Sequence, residues 1–157
     1  MWSDVTADAS SNVMYPINNN PATANDWANI SGLFQYFRVN AMKIKFIPSV
    51  TADATYDYHT GYVFHSASDI SFLSTTTIDR TIQFENCKVV NMQWPWKYCR
   101  KLLRITAGGE IDSRGYMAVD GAIPTQCICI IYRGNGQTNQ VLGNVVVTYY
   151  VTAYGWF

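Results

Sequence analysis

The densest group of residues that could do chemistry is the segment PWKYCRKLLR, residues 95–104, which carries four cations and no acid. The cations recur at i, i+3, i+4 and i+7: Lys97, Arg100, Lys101 and Arg104. A helical turn beginning at Pro95 would place them on one face, whereas a β-strand would divide them between two faces. The sequence leaves both conformations open.

Three aromatic residues lie beside these cations: Trp94, Trp96 and Tyr98. Cations interleaved with aromatic rings suit single-stranded nucleic acid, because the cations neutralise phosphates and the rings stack on bases. A solvated basic edge, or cation–π contacts that stabilise the fold locally, would give the same pattern.

A second basic segment is the strand-like stretch FRVNAMKIKFIPSV, residues 37–50. Lys43 and Lys45 alternate with Met42, Ile44 and Phe46, so a strand here would bury one face and present positive charge on the other. That charged face is either solvated or lines an interior or subunit surface. Six of the eleven basic residues, all from these two segments, form the candidate nucleic-acid-binding set: Lys97, Arg100, Lys101, Arg104, Lys43 and Lys45.

Residues suited to catalysis are scarce. The two histidines, His59 and His65, have no carboxylate or cysteine at a ligand spacing, and neither a nucleophile elbow nor a phosphate-binding glycine loop is present. We therefore predict no enzyme activity, no cofactor and no metal site. An alternative is a calcium ion at a subunit contact, held by three loop aspartates: Asp53, Asp57 and Asp69.

The composition indicates one all-β domain covering residues 1–157. Val, Ile, Thr, Tyr and Phe dominate, the charged fraction is only 14%, and the net charge is zero. A surface so poor in charge suggests coverage by other protein in the working state. No apolar run is long enough for a membrane span. Cys127 and Cys129, two residues apart in an apolar run, are expected to be free thiols on one buried strand face.

The hydrophobic pattern predicts seven or eight strands, with one or two short helices. The clearest strands fall near residues 13–17, 38–47, 61–68, 86–94, 114–121, 125–135 and 142–155. A helix capped by Asn25 or Asp26 would carry Trp27, Ile30, Phe34 and Phe37 on one face, and Thr77 would cap a second. The best fit to this length is an eight-stranded jelly-roll β-sandwich.

Two segments resemble capsid proteins of small non-enveloped viruses: FQYFRVNAMKIKFIP and, about 100 residues later, QVLGNVVVTYYVTAYG. Those proteins include tombusvirus-like shells, satellite viruses and circular single-stranded DNA viruses. The resemblance implies a structural protein that assembles in many identical copies into a closed T=1 icosahedral shell around a single-stranded RNA or DNA genome. It also implies a virion location, with assembly inside the host cell and no membrane partner.

One departure from these capsid proteins is the neutral opening MWSDVTADASS, where an Arg/Lys-rich arm is common. Either such an arm is missing from this chain, or packaging relies on the basic residues of the shell domain itself. The alternative function is a jelly-roll carbohydrate-binding module, in which Trp94 and Trp96 would form a sugar platform.

Overall fold

The computed structural model describes residues 2–7, 12–49, 60–66, 86–102, 116–119, 126–133, 139 and 141–156. The second predicted helix, the three loop aspartates, His59 and Arg104 lie outside these ranges. Within them are nine strands: β1 Trp2–Thr6, β2 Asn12–Asn18, β3 Phe34–Pro48, β4 Thr60–Ser66, β5 Lys88–Asn91, β6 Trp96–Lys101, β7 Met117–Ala118, β8 Cys127–Arg133 and β9 Val141–Trp156.

The strands form two antiparallel sheets. The first sheet has the order β1-β9-β3-β6, with the two-residue strand β7 also paired to β3, and the second has the order β2-β8-β4-β5. Except for β4 and β5, the paired strands are not consecutive in sequence, and the chain crosses repeatedly between the sheets. This is the jelly roll predicted from the sequence, with four principal strands in each sheet and β7 as an addition.

The hydrophobic core lies between the two sheets and is supplied by alternate residues of the strands. Met42, Ile44 and Phe46 of β3 are fully buried, and Val63 of β4 and Ile130 of β8 meet them from the second sheet. The predicted division of β3 into an apolar inner face and a lysine-bearing outer face is therefore confirmed.

A β-bulge at Asn40 keeps the whole of β3 in phase with the core. Phe37 and Val39 are buried before it, whereas Met42 and Ile44 are buried after it, so the inward parity changes from odd to even. The extra residue at a bulge produces this change without exposing either half of the strand. Asn40 is fixed on the outer side, because its Nδ2 donates to Thr152 Oγ1 at 2.7 Å and its Oδ1 accepts from Arg38 Nε at 2.8 Å.

The start of the chain differs from the sequence prediction. A five-residue strand, Trp2–Thr6, pairs with β9, although none of the predicted strands begins before residue 13. Only Val5 of this strand is buried, which is typical of an edge strand with one residue in the core.

The predicted first helix is real but shorter than the spacing of its aromatic residues suggested. The α-helix α1 spans Trp27–Ser31 and follows a 3-10 turn at Pro21–Thr23. Phe34 and Phe37 belong to β3 rather than to the helix. Trp27 still meets Phe37 edge-on, with 4.7 Å between ring centroids, because the helix packs against the strand that follows it.

Strand β8 is buried on both faces, as its unbroken apolar run predicted. Ile128 and Ile130 face the first sheet, and Cys127 and Cys129 lie on the opposite face in a second cluster with Phe64. Both cysteines are free thiols, and burial raises the pKa of Cys129 far above its usual value. The prediction of two small core residues on one strand face is confirmed.

Among the described glycines, Gly143 of β9 is the one where a side chain would be most costly. A Cβ there would lie 2.4 Å from the Ile47 carbonyl oxygen and 2.7 Å from the Phe46 ring. We expect Gly143→Ala to lower the free energy of unfolding by about 1–3 kcal/mol through overpacking, measured by urea denaturation. Gly32→Ala is the control, because its nearest atom lies at 3.3 Å beside a solvent-facing helix end. Equal stability of the two variants would contradict this account.

Candidate nucleic-acid interface

The basic segment predicted as either helix or strand is a strand. Residues Trp96–Lys101 form β6, the edge of the first sheet, so the helical interpretation is wrong and its cations do not share one face. Lys97 and Lys101 are exposed on the outer side of the sheet. Arg100 lies opposite the buried Met42 and points to the inner side.

Pairing of β6 with β3 brings the outward lysines of both strands together. Lys45 stands directly opposite Lys97, and Lys43 stands opposite Cys99, which is exposed between Lys97 and Lys101. Four lysines therefore occupy one continuous surface, here called the lysine face: Lys43, Lys45, Lys97 and Lys101. Lys43 and Lys45 are successive outward residues of β3, about 7 Å apart, whereas Lys97 and Lys101 of β6 are four residues, or about 13 Å, apart with Cys99 between them.

The described residues supply little negative charge to compensate the lysine face. Among the described residues only Asp4 and Asp26 are acidic, and Asp4 is the one on the outer side of this sheet. The Asp4 carboxylate accepts a hydrogen bond from Asn144 Nδ2 of β9, the strand that lies between β1 and β3. No ion pair between the four lysines and an acid occurs in the described part of the chain. Like charges directly opposite each other in a sheet are destabilising, so the Lys45–Lys97 pair favours the approach of an anion.

Arg100 belongs to a different environment, a polar group at one end of the sandwich. Its Nε is buried without a hydrogen-bond partner among the described residues, and its positive charge acts on His65. His65 is only 3% exposed, and its Nε2 lies 3.1 Å from Gln126 Oε1. Asn86 accepts from the backbone N–H of His65 and donates to its carbonyl, which fixes the end of β4. Of the six predicted binding residues, the structure thus brings four together and separates Arg100.

The aromatic residues beside the cations do not lie on the lysine face. Trp96 stacks on Phe46 at 5.3 Å on the inner side, and Tyr98 is buried with its hydroxyl donating to the Asn86 carbonyl oxygen. Trp94 is 67% exposed but lies in the turn before β6. Because Trp96 is stacked inside the sandwich, it does not form a joint sugar platform with Trp94, and the carbohydrate-binding alternative is not favoured.

Two aromatic residues that the sequence analysis did not include in the site do lie on this outer surface. Tyr150 of β9 is 46% exposed opposite Ala41, and Trp2 of β1 is 61% exposed opposite Val146. The signal for Tyr150 is its alternation with Val145, Val147 and Val151 along β9, which is visible in the sequence. The position of Trp2 depended on recognising β1, whose polar sequence gave no strand signal.

A cavity of about 260 Å³ lies between the Pro21–Ile30 segment and β9. It offers one carboxylate, Asp26, and one phenol, Tyr149, whose pKa burial raises to about 12. The Tyr149 hydroxyl donates to the Asn18 carbonyl oxygen, so it is protonated at neutral pH and is no general base. In the ranges given above no group of three metal-ligating side chains occurs, and no described helix has the length and apolar character needed to cross a membrane.

Comparison with known proteins finds the same fold in viruses. No family model matches the chain, and no curated protein sequence matches it. A deletion mutant of the Penaeus vannamei nodavirus capsid protein, solved as a T=1 subviral particle, is similar with a TM-score of 0.63 and 10% identity over 98% of this chain and 92% of that one. The structure of tobacco necrosis virus is similar with a TM-score of 0.66 and 8% identity over 99% of this chain and 81% of that one.

Mud crab tombus-like virus gives a TM-score of 0.60 and 13% identity over 96% of this chain and 76% of that one. The identities are so low that these similarities establish the fold alone, which is the jelly roll of viral capsids. The fold that the resemblance to capsid proteins implied is therefore confirmed across nearly the whole chain.

The buried His65 gives a prediction about pH. Burial lowers the pKa of His65 below 6.5, the Gln126 hydrogen bond opposes that shift, and the Arg100 charge reinforces it. Below about pH 6.5 the unfolded chain therefore binds a proton at His65 more readily than the folded chain does. The contribution of neutral His65 to the free energy of unfolding is complete above that pH and is lost as the pH falls. We expect a loss of at most about 1.4 kcal/mol per pH unit from this group.

Urea unfolding of the wild type and of His65→Gln at pH 7.5 and pH 5.5 measures this loss. The variant should lose less stability than the wild type between the two values, whatever its absolute stability. An identical loss in both proteins would show that His65 does not titrate with folding.

Proposed function

We propose that this chain is a viral capsid subunit that assembles into a small icosahedral shell and encloses a single-stranded nucleic acid. The observation that carries the proposal is the jelly roll, similar to virus shell structures over 95% or more of this chain. In this role the chain is structural and catalyses no reaction. Its location would be the virion, after assembly in the host cell.

Self-assembly is supported by apolar side chains left exposed at several edges of the subunit. Val89 lies on the edge strand β5 and is 62% exposed, and Trp94 follows in the next turn. Leu33 and Trp156 are exposed elsewhere on the surface. In a closed symmetric shell each such patch would be buried against an identical neighbour, and weak contacts repeated over many copies give a stable particle. One chain per asymmetric unit, T=1, is the simplest such shell.

Nucleic-acid binding is supported by the lysine face. Lysines on an edge strand commonly prevent unwanted pairing of that edge, which would account for Lys97 and Lys101 on β6. Lys43 and Lys45 are on β3, which has a neighbour on both sides, so edge protection does not account for them. Four cations held beside one another instead suit the regularly spaced phosphates of a nucleic-acid strand. We infer that this face looks toward the interior of the shell.

Size-exclusion chromatography with absorbance at 260 and 280 nm tests the shell. We expect a particle far larger than the 17.7 kDa chain, with excess 260 nm absorbance that survives nuclease because the nucleic acid is enclosed. A large particle without that excess would support the shell but contradict the packaging of nucleic acid. A monomer, unchanged by salt or pH, would overturn the capsid assignment.

Replacement of the lysines tests the packaging surface. Changing all four lysines of the lysine face to Gln should leave the subunit folded and the particle assembled but lower its enclosed nucleic acid, read as the 260/280 ratio. On dissociated subunits, the slope of log K against log salt for a single strand should be about −3 in the wild type and weaken by about 0.7 in Lys45→Gln.

The matched control is Lys88→Gln, an exposed lysine on β5 of the other sheet, which should change neither quantity. Equal effects of Lys45→Gln and Lys88→Gln would mean that the charge of the whole subunit, and not the lysine face, governs binding.

A further inference from the structure

The outer surface of the first sheet carries two classes of aromatic residue. One class is already paired: Phe34 with Trp156 at 4.7 Å, and Tyr36 with Tyr154 at 5.1 Å. In each pair a ring of β3 contacts a ring of β9, tilted in the first pair and stacked in the second, away from the lysine face. The other class consists of Tyr150 and Trp2, which have no ring partner among the described residues and whose exposed fractions are 46% and 61%.

Tyr150 stands immediately beside the lysine face. Ala41 separates it from Lys101 in the same cross-strand row, so the two side chains are two strand spacings, about 10 Å, apart with only a methyl group between them. Lys43 is a diagonal neighbour of Tyr150, about 7–8 Å away. A half-exposed aromatic ring with two cations on its β3 side can stack a base while the lysines hold the adjoining phosphates.

Trp2 flanks the same surface at the other end. It pairs with Val146, which pairs in turn with Lys45, so Trp2, Lys45 and Lys97 share one row of the sheet. Along β9, Val146 and Tyr150 are four residues, or about 13 Å, apart. The two rings thus lie on the β9 and β1 side of the lysines, with Thr148 between their rows.

We propose that Tyr150 and Trp2 are base-stacking platforms, which make the lysine face selective for single-stranded over duplex nucleic acid. The inference rests on the proposed function, since it assumes that the lysine face binds nucleic acid at all. Bases of a duplex are stacked on one another and present no free ring face, whereas bases of a single strand can stack on aromatic side chains. The lysines contact phosphates in either case, so selectivity depends on the two rings.

Fluorescence anisotropy on dissociated subunits tests the proposal, with a labelled 15-nucleotide oligo-dT and a 15-base-pair duplex as probes. Tyr150→Ala and Trp2→Ala should each weaken oligo-dT binding by about 5- to 150-fold, which corresponds to about 1–3 kcal/mol per stacked base. Duplex binding should change less than about twofold, because neither ring contacts the duplex bases. Tyr150→Phe should retain the wild-type affinity, since the ring remains.

Trp94→Ala is the matched control, an exposed tryptophan off the lysine face, and should bind both probes as the wild type does. Equal losses on oligo-dT and duplex would overturn the proposal, as would unchanged binding. Variants that bind oligo-dT normally but fail to form particles would mean that the two rings contact a neighbouring subunit instead. A wild type that binds neither probe would overturn the proposed packaging function together with this inference.

Discussion

The pairing of β3 with β9 is the constraint on which the rest of the structure depends. These two strands run antiparallel from Phe34 opposite Trp156 to Pro48 opposite Gly143, at the centre of the first sheet. Their register decides which side chains enter the core and which form the outer surface, since a slip by one residue would exchange the two faces. The bulge at Asn40 lies where the alternation of buried and exposed residues along β3 changes phase, and it keeps both halves of the strand in register with β9. Both the buried Met42–Ile44–Phe46 face and the exposed lysines follow from that single registration.

Much of this arrangement was predictable because strand alternation is visible in sequence. Lys43 and Lys45 against Ile44 and Phe46 gave the correct faces of β3, and the unbroken apolar run of β8 correctly indicated burial on both sides. The site was harder to predict. The i, i+3, i+4, i+7 spacing of the basic segment fits a helix, but the tertiary pairing of β6 with β3 determines its conformation, and no local spacing reveals that partner. The strand at Trp2–Thr6 was missed for the same reason, because it is held by β9 rather than by its own apolar content.

The conformation of the basic segment decides the composition of the candidate site. Because the segment is a strand, Arg100 points away from the lysine face, and the lysines of β3 lie beside those of β6. A helix would have gathered four cations from one segment, whereas the sheet gathers two from each of two segments about 50 residues apart. The outer surface is assembled by strand pairing, and its aromatic members arrive in the same way, from β9 and β1. This is why Tyr150 and Trp2 become neighbours of the lysines, although Trp2 is 41 residues from Lys43 in sequence and Tyr150 is 49 residues from Lys101.

A chain of zero net charge can still hold a polyanion when its charges are segregated. Eleven basic and eleven acidic residues cancel over the whole sequence, yet one sheet surface carries four lysines and, among the described residues, a single carboxylate that is already hydrogen-bonded to Asn144. Electrostatic attraction is screened within about 8–10 Å at physiological ionic strength, so an anion on this surface would respond mainly to the charges beside it. The repulsion between Lys45 and Lys97 works in the same direction, because an incoming phosphate relieves a cost that the unliganded subunit carries. The charge close to this surface, rather than the overall charge of the chain, is therefore what would govern the approach of an anion to it.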